Sequence, residues 1–469
     1  MVLIFGAVTI IILSGLIIWA DSSIKIVNRS NDQALAFRIA ESGIEYYRWH
    51  LAHAPADFKD GTGQPGPYVH NFYDRNGVLL GTFSLDITTP LIGSTLVDIK
   101  STGKVQIDPS ISKVIEVKFS KPSFAKYAAV LNANVRFGEG TEVFGPIHSN
   151  GGIRFDGLTH NVVTSAVADY NDPDHTGANE FGVHTHVAPT DPLPPNSVPN
   201  RPDVFEAGRQ FPVPAVDFTG ITQSLSNIKA DAQSAGFYRG SSGAKGYDIV
   251  LKTNDTFDLY KVNTLVSAPS GCTNSQNQSG WGTWSIQSES LLGNYAIPAN
   301  GLIFIEDNTW VRGQINTSRL TIGSGRFPDD SATRSSITVN TNILYSNYDG
   351  QDAISLIAQK DINVGLVSST DIRIDAAMIA QSGRIGRFYY QAPSDGSQRC
   401  SPYHIRNSLI SYGMLGSSNR YGFAYISGST ITGYQTRDLI YDANLLYAPP
   451  PSFPLTADNY EEIFWDEIK

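Results

Sequence analysis

The chain has 469 residues, 41% hydrophobic and 17% charged, with Gly, Tyr and Phe plentiful and Met scarce. That length and apolar content can bury a large core in two or more units, and the composition favours β structure with many turns. A formal charge of −10 argues against a general affinity for nucleic acid, and no specific nucleic-acid partner is predicted.

The first element is VLIFGAVTIIILSGLIIWA, residues 2–20, which carries no charge and is long enough to cross a bilayer as a helix. It exceeds the usual apolar core of a secretory signal, and no Ala-x-Ala site follows. Beyond it Ile24, Val27, Ala34, Phe37, Ala40, Ile44, Tyr47 and Leu51 recur at three- and four-residue steps, with no Gly or Pro before Gly43. One helix over 1–54 is predicted, half membrane-spanning and half amphipathic, ending at APADFKDGTGQ (55–65). Gly6, Ala7, Ser14 and Gly15 are the small residues that would let another helix approach closely.

Alternating segments follow at 68–73, 78–88, 96–99, 104–107 and 114–119, with Arg75-Asn76-Gly77 as a tight turn. They predict a small antiparallel α+β module over 65–122. The texture then changes. NVRFGEG (134–140) recurs as GIRFDGL (152–158), and LIAQKDINVG (356–365) recurs as MIAQSGRIGR (378–387). Short strands separated by polar Gly/Asn/Ser turns at such offsets predict a β-solenoid, whose coils bury alternate apolar residues when they stack.

The predicted fold class is therefore mainly β: a right-handed parallel β-helix preceded by a long N-terminal α-helix and the small α+β module. First coils are placed at 125–165, an insertion at 166–298, and the main β-helix with a C-terminal cap at 299–454. The insertion holds a Pro-rich linker (188–202) and a helix with Ile221, Leu225, Ile228, Ala232 and Ala235 on one face. A hairpin (246–262) and a loop (268–283) complete it. In VFGPIHSNGGIRFDG (143–157) the bend falls at Asn150-Gly151-Gly152, with left-handed backbone expected at glycine and His148 expected to point outward. The prolines of DANLLYAPPPSFP (442–454) are expected to end the stack.

An apolar helix running into AESGIEYY (40–47) resembles the AEAG-x-EYA segment of PilX-type minor pilins, the pilus assembly proteins of the type IV system. VFGPIHSNGGIRFDG, GYDIVLKTNDTFDLYKV, NGLIFIEDNTWVRGQIN, ISLIAQKDINV, DIRIDAAMIAQSG and DANLLYAPPPSFP are similar to the large ectodomain of one branch of that family. The resemblance implies a membrane-anchored, non-catalytic subunit with an extracytoplasmic C-terminal part at the pilus or cell surface. Its partners would be the membrane and other pilin-type helices. Val2-Leu3-Ile4-Phe5 stand where the family has a basic leader ending in Gly and a Glu shortly after. Two expectations follow: a start that is cut short, or a copy that is not processed by a prepilin peptidase.

Several groups of residues are candidates for chemistry. His184-Thr185-His186 would put two imidazoles on one strand face; zinc would need a further ligand, with His160 and His175 as candidates, but the spacing is not diagnostic, so solvated loop histidines are expected and no metal site is assigned. DYNDPDHTGANE (169–180) offers the oxygen ligands Asp169, Asn171, Asp172, Asp174 and Asn179. Within it Asp172, Asp174, Thr176 and Gly177 imitate the first half of a calcium loop, although Val183 takes the place of its closing Glu, so calcium is the one cofactor considered, against a plain turn-rich loop. Asp371, Arg373 and Asp375 are expected to share one outward face as an ion-paired ladder. Cys272 and Cys400 can pair in an oxidising space, and their sequence positions leave that open.

Trp310, Tyr345, Tyr348, Tyr389, Tyr390 and Tyr421 could stack on sugars or bases, or fill corners of the solenoid. The chain carries no Gly-x-Ser-x-Gly, Walker, Rossmann or His-Glu-x-x-His motif, so no enzyme is predicted. The second reading is a tethered adhesin or glycan-binding β-helix recognising a surface glycan or host ligand. A third is a polysaccharide-degrading enzyme that would depend on Asp371.

Overall fold

The computed structural model describes residues 2–90, 94–218, 220–394, 396–427 and 430–468. It divides into two compact units, one of Met1–Leu91, Thr95–Lys121 and Asp458–Lys469, the other of Ile92–Ser94 and Pro122–Ala457.

In the first unit α1 (Val2–His53) is a single helix. Its C-terminal half lies on an antiparallel sheet of β1 (Tyr68–Tyr73), β2 (Leu79–Thr88), β3 (Val97–Val105), β4 (Ser112–Ser120) and a final strand, Glu461–Ile468. Ala36, Ile39, Ala40, Ile44, Tyr47 and Leu51 are buried against Phe83, Leu85, Val97, Ile99, Ile115, Val117 and Phe119. At about 1.5–3 kcal/mol for each large side chain, this burial is what docks the helix. Ile24, Val27 and Ala34, predicted to share that apolar face, are exposed, because protein cover begins only at Leu35 and Ala36.

Glycine makes the docking close. A Cβ on Gly103 of β3 would stand 2.2 Å from the Ala36 carbonyl and 2.4 Å from the Ala40 nitrogen. The predicted segments 96–99 and 104–107 are one strand, since Lys100–Gly103 stay paired with both β2 and β4. The turn at 75–77 forms as expected. The Asp74 side chain accepts from the Asn76 and Val78 N–H groups, and Gly77 takes φ 81°.

The second unit is built from parallel ladders. One runs through Phe237–Arg239, Leu302–Ile305, Arg319–Ser324, Ala353–Ala358, Asp371–Ala380 and Ile405–Ser417. It continues through Ala129–Leu131, Ile147–Ser149 and Val163–Ser165. The early strands therefore add to the far end of the late ones. A second ladder joins Gly246–Leu251, Thr309–Gln314, Ile337–Thr338, Ile362–Val364 and Ile385–Arg387. Both sequence repeats reappear as register. Val135 lies opposite Ile153 and Leu356 opposite Met378, while Ile362 faces Ile385 after a slip of one residue.

Alternate residues point into one continuous core that includes Ile303, Ile322, Leu356, Met378, Leu415, Val143 and Ile153. The opposite face of the first ladder is covered as well. Phe304, Ile357, Ile379 and Met414 pack with Leu225, Ile228 and Ala232 of α2 (Gly220–Ala235), and with Phe124, Leu445 and Phe453. Ala235, predicted on the buried face of α2, is exposed, and the side chain of Ile221 lies outside the described residues.

Residues 237–296, read from sequence as part of an insertion, pair directly into these ladders. The hairpin Gly246–Leu251/Thr256–Leu265 turns at Asp255, with φ 58°, and gains a further antiparallel strand, Ile286–Ala296. The proline segment runs along the strands. The Ala448 and Pro449 carbonyls accept from Arg319, and the Pro451 carbonyl accepts from Thr321. Cys272 and Cys400 are joined and pack with Leu366, Phe388 and Tyr390.

Gly103→Ala is expected to lower the stability of the first unit by about 1–3 kcal/mol, because helix or strand must shift to admit the methyl group. Faster amide exchange across β3 in the detergent-solubilised full chain would register it; unchanged exchange would show that the contact has slack.

Candidate functional site

From Ile4 to Val27 the apolar side chains of α1 meet no protein. Phe5, Ile11, Ile17 and Trp19 are each about 70% exposed. Thr9 returns its hydroxyl to the Phe5 carbonyl, so this polar group is satisfied within the helix. The first charged residue is Asp21, paired with Lys25 at 2.7 Å. This is the one helix among the described residues with the length and composition to cross a membrane. Ala7 and Ser14 lie two turns apart on one face, with Gly6 and Gly15 flanking that face on either side. A Cβ on Gly6 or Gly15 would meet nothing within 4 Å.

In the second unit, the stretch at 143–157 is a corner of the scaffold. His148 does not face solvent; it is 1% exposed, beside the Tyr127 ring and hydrogen-bonded to Thr164 and Asn150. Asn150 in turn pairs with both backbone groups of Val216, in a chain segment that covers this face of the sheet. Burial pushes the His148 imidazole below its ordinary pKa. Gly151 and Gly152 do not take left-handed backbone; a Cβ on Gly152 would lie 2.0 Å from the Tyr170 ring, so this glycine is needed for space.

Tyr170 leads to the most concentrated chemistry in the chain. The short pair Asp169–Tyr170/Glu180–Phe181 is followed by Val183–His184, which lies parallel to Ile153–Phe155. Gly182 allows this crossing, since its Cβ would stand 1.9 Å from the Val167 carbonyl. Asp172, Glu180, His184 and His186 converge, each offering one ligand atom, all within 4.8 Å of one another. His186 Nε2 is 2.8 Å from Glu180 Oε2, His184 Nε2 is against the same oxygen, and His175 Nδ1 is 2.8 Å from Glu180 Oε1. Asp172 Oδ2 is 3.7 Å from His184 Nε2 and 3.5 Å from Arg154 Nη1. Burial pushes the Asp172 carboxyl up, but His184, the Asp174 N–H and Arg154 together hold it well below the usual carboxylate range.

Asp156 organises the floor of this cluster. Its Oδ2 accepts from Arg136 at 3.0 Å and Arg154 at 2.7 Å, while its Oδ1 accepts the His186 N–H.

The other candidates separate. Of the residues considered for calcium only Asp172 enters the cluster; Asp169 accepts from Asn179, Asn171 donates to the Gly177 carbonyl, and Asp174 holds Arg420. His160 lies between Glu142 and Glu206, whose hydrogen bonds raise its pKa. Asp375 is fully buried and accepts from Arg373, Tyr348 and the Tyr345 N–H, whereas Asp371 is exposed and accepts from Asn407 and Ser408. The predicted shared outward face is thus divided, because the tyrosines cover Asp375. Trp310, Tyr345, Tyr390 and Tyr421 are buried, so only Tyr348 and Tyr389 retain appreciable surface. Glu180, the last residue of DYNDPDHTGANE (169–180), was not singled out in the sequence as a ligand; its spacing of four from His184 is no signal outside a helix.

No protein-family profile matches the chain, and no curated protein matches it. Among solved structures, it is similar to the crystal structure of the competence-associated pilin ComZ from Thermus thermophilus. The identity is 12%, the match covers 93% of this chain and 98% of that chain, and the TM-score is 0.32. A likeness at that level carries no weight for fold or function.

Asp156→Ala is expected to destabilise the second unit by about 1–3 kcal/mol, because it removes the acceptor that Arg136 and Arg154 share and leaves only Arg154 with another carboxylate, Asp172, nearby. Chemical denaturation of the full chain in detergent measures this; a loss below about 1 kcal/mol would mean that both arginines reach water once released.

Proposed function

We propose that the protein is a membrane-anchored, pilin-like structural subunit that takes part in assembly or surface display of a type IV pilus or related filament. The observation that carries this reading is the division of α1. Its C-terminal half is docked on an antiparallel sheet, and its N-terminal half presents an apolar surface that only lipid or other apolar helices can cover. The resemblance of residues 40–47 to minor pilins supports it. Gly6, Ala7, Ser14 and Gly15 are proposed as the helix–helix contact, and the C-terminal units are proposed to lie outside the cytoplasm.

We further read the parallel ladders of the second unit as walls of one right-handed β-helix, acting as a rigid body with no catalytic role. The in-register stacking and the shared apolar core support that reading.

Two variants separate anchoring from assembly. Ile11→Arg places a charge mid-span, at a cost of about 2.5–3.5 kcal/mol, and is expected to move protein out of the membrane fraction. Ala7→Leu with Ser14→Leu should stay in the membrane but disappear from filaments sheared off the cell. Retention of the double variant in those filaments would remove the proposed contact. Absence of the wild-type chain from both fractions would remove the function.

A further inference from the structure

We propose that Asp172, Glu180, His184 and His186 form a closed binding site for one divalent transition-metal ion, and that the donor set fits zinc. Zinc takes imidazole nitrogen and carboxylate oxygen at ~2.0–2.2 Å in tetrahedral sites, which sets neighbouring donors roughly 3.4 Å apart. Here His186 Nε2 stands 2.8 Å from Glu180 Oε2 and His184 Nε2 stands 3.7 Å from Asp172 Oδ2. Small rotations of these side chains would bring the donors to that spacing.

Hydrogen bonding points the same way. His184 Nδ1 is 3.3 Å from the Phe181 carbonyl, which fixes the proton on Nδ1 and turns the Nε2 lone pair into the cluster. His184 is 1% exposed and Asp172 4%. Even so, His184 Nε2 and Asp172 Oδ2 each lack a partner in hydrogen-bond geometry, although His184 Nε2 touches Glu180 Oε2 and Asp172 Oδ2 stands 3.5 Å from Arg154 Nη1. Native proteins rarely leave such atoms unsatisfied, since each costs about 1–3 kcal/mol. A cation between them satisfies both.

Charge and ligand type select the ion. Two carboxylates and two neutral imidazoles balance a divalent ion, since the Arg154 charge beside Asp172 is matched by Asp156, while calcium prefers six to eight oxygen donors and would reject the imidazoles. Four protein donors leave no position for a substrate, so the ion would be structural. It would tie the Asp169–Phe181 pair, which has only two residues in each strand, to the neighbouring Ile153–Phe155 ladder. Arg154 next to Asp172 and the Asp156 bond to the His186 N–H would hold the ligands in place.

The test is calorimetric titration of zinc chloride, with calcium chloride in parallel, into the full chain in detergent after chelator treatment. Cobalt(II) absorption provides a separate readout of coordination geometry. One equivalent of zinc with a tetrahedral cobalt spectrum is expected. His186→Ala, at the rim where folding is least at risk, and Glu180→Gln should each weaken binding by about a hundredfold or more, since even second-sphere changes cost roughly tenfold to a hundredfold. His160→Ala, outside the cluster, should leave it unchanged. Absence of zinc uptake by the wild-type chain, tighter uptake of calcium than zinc, or full affinity in both ligand variants would overturn the assignment.

Discussion

The constraint on which the reading rests is that one helix has two environments. From Ala36 onward α1 is locked to β3 so closely that only glycine fits at position 103. From Ile4 to Val27 the same helix has no protein cover at all. Exposed apolar surface costs about 25 cal/mol per Å² in water, so a stretch of this kind is stable only where water is absent. The sheet cannot release the helix without losing its own core, and the uncovered half cannot stay in water. On the proposed reading, anchoring follows from this division of the helix.

The second unit meets a different demand. Its strands are short, and many are buried on both faces, so each backbone edge must find a parallel neighbour and each polar group a partner. Asp375 among Arg373, Tyr348 and the Tyr345 N–H meets that demand with protein groups alone. The cluster around Glu180 does not, because it leaves a nitrogen and an oxygen buried without hydrogen-bond geometry. The two cases differ in whether protein groups alone complete the hydrogen bonding, and the proposed cation would complete it around Glu180.

Local periodicity was legible wherever one face is dry. Alternation located β1, β2 and β4, and the eighteen-residue repeat is the register of Val135 opposite Ile153. What covers an outward face is a long-range fact, and there the reading departed from the structure. His148 lies on the parity expected to face solvent, but the chain at Val216 folds over that face. Strand Ile286–Ala296 is polar and largely exposed, so it carried no apolar alternation to read. Lys100–Gly103 looked like a break because it carries no large apolar residue and both Lys and Gly are depleted in strands, yet pairing on both sides overrides that preference. Glu180 was hidden for another reason: the histidine doublet at 184–186 drew attention to further histidines, while the chain supplied carboxylates from a turn and a two-residue strand.

The central claim concerns what surrounds residues 4–27, and the most direct measurement is a cysteine accessibility scan. Single cysteines substituted along residues 5–27 of the full chain would be probed in native membranes with a membrane-impermeant maleimide, with Ser110→Cys as an exposed reference. Protection is expected throughout residues 5–19, with reactivity returning after Asp21, where the first charges stand. Labelling of Ile11→Cys as readily as Ser110→Cys would place the apolar half of the helix in water and contradict the account.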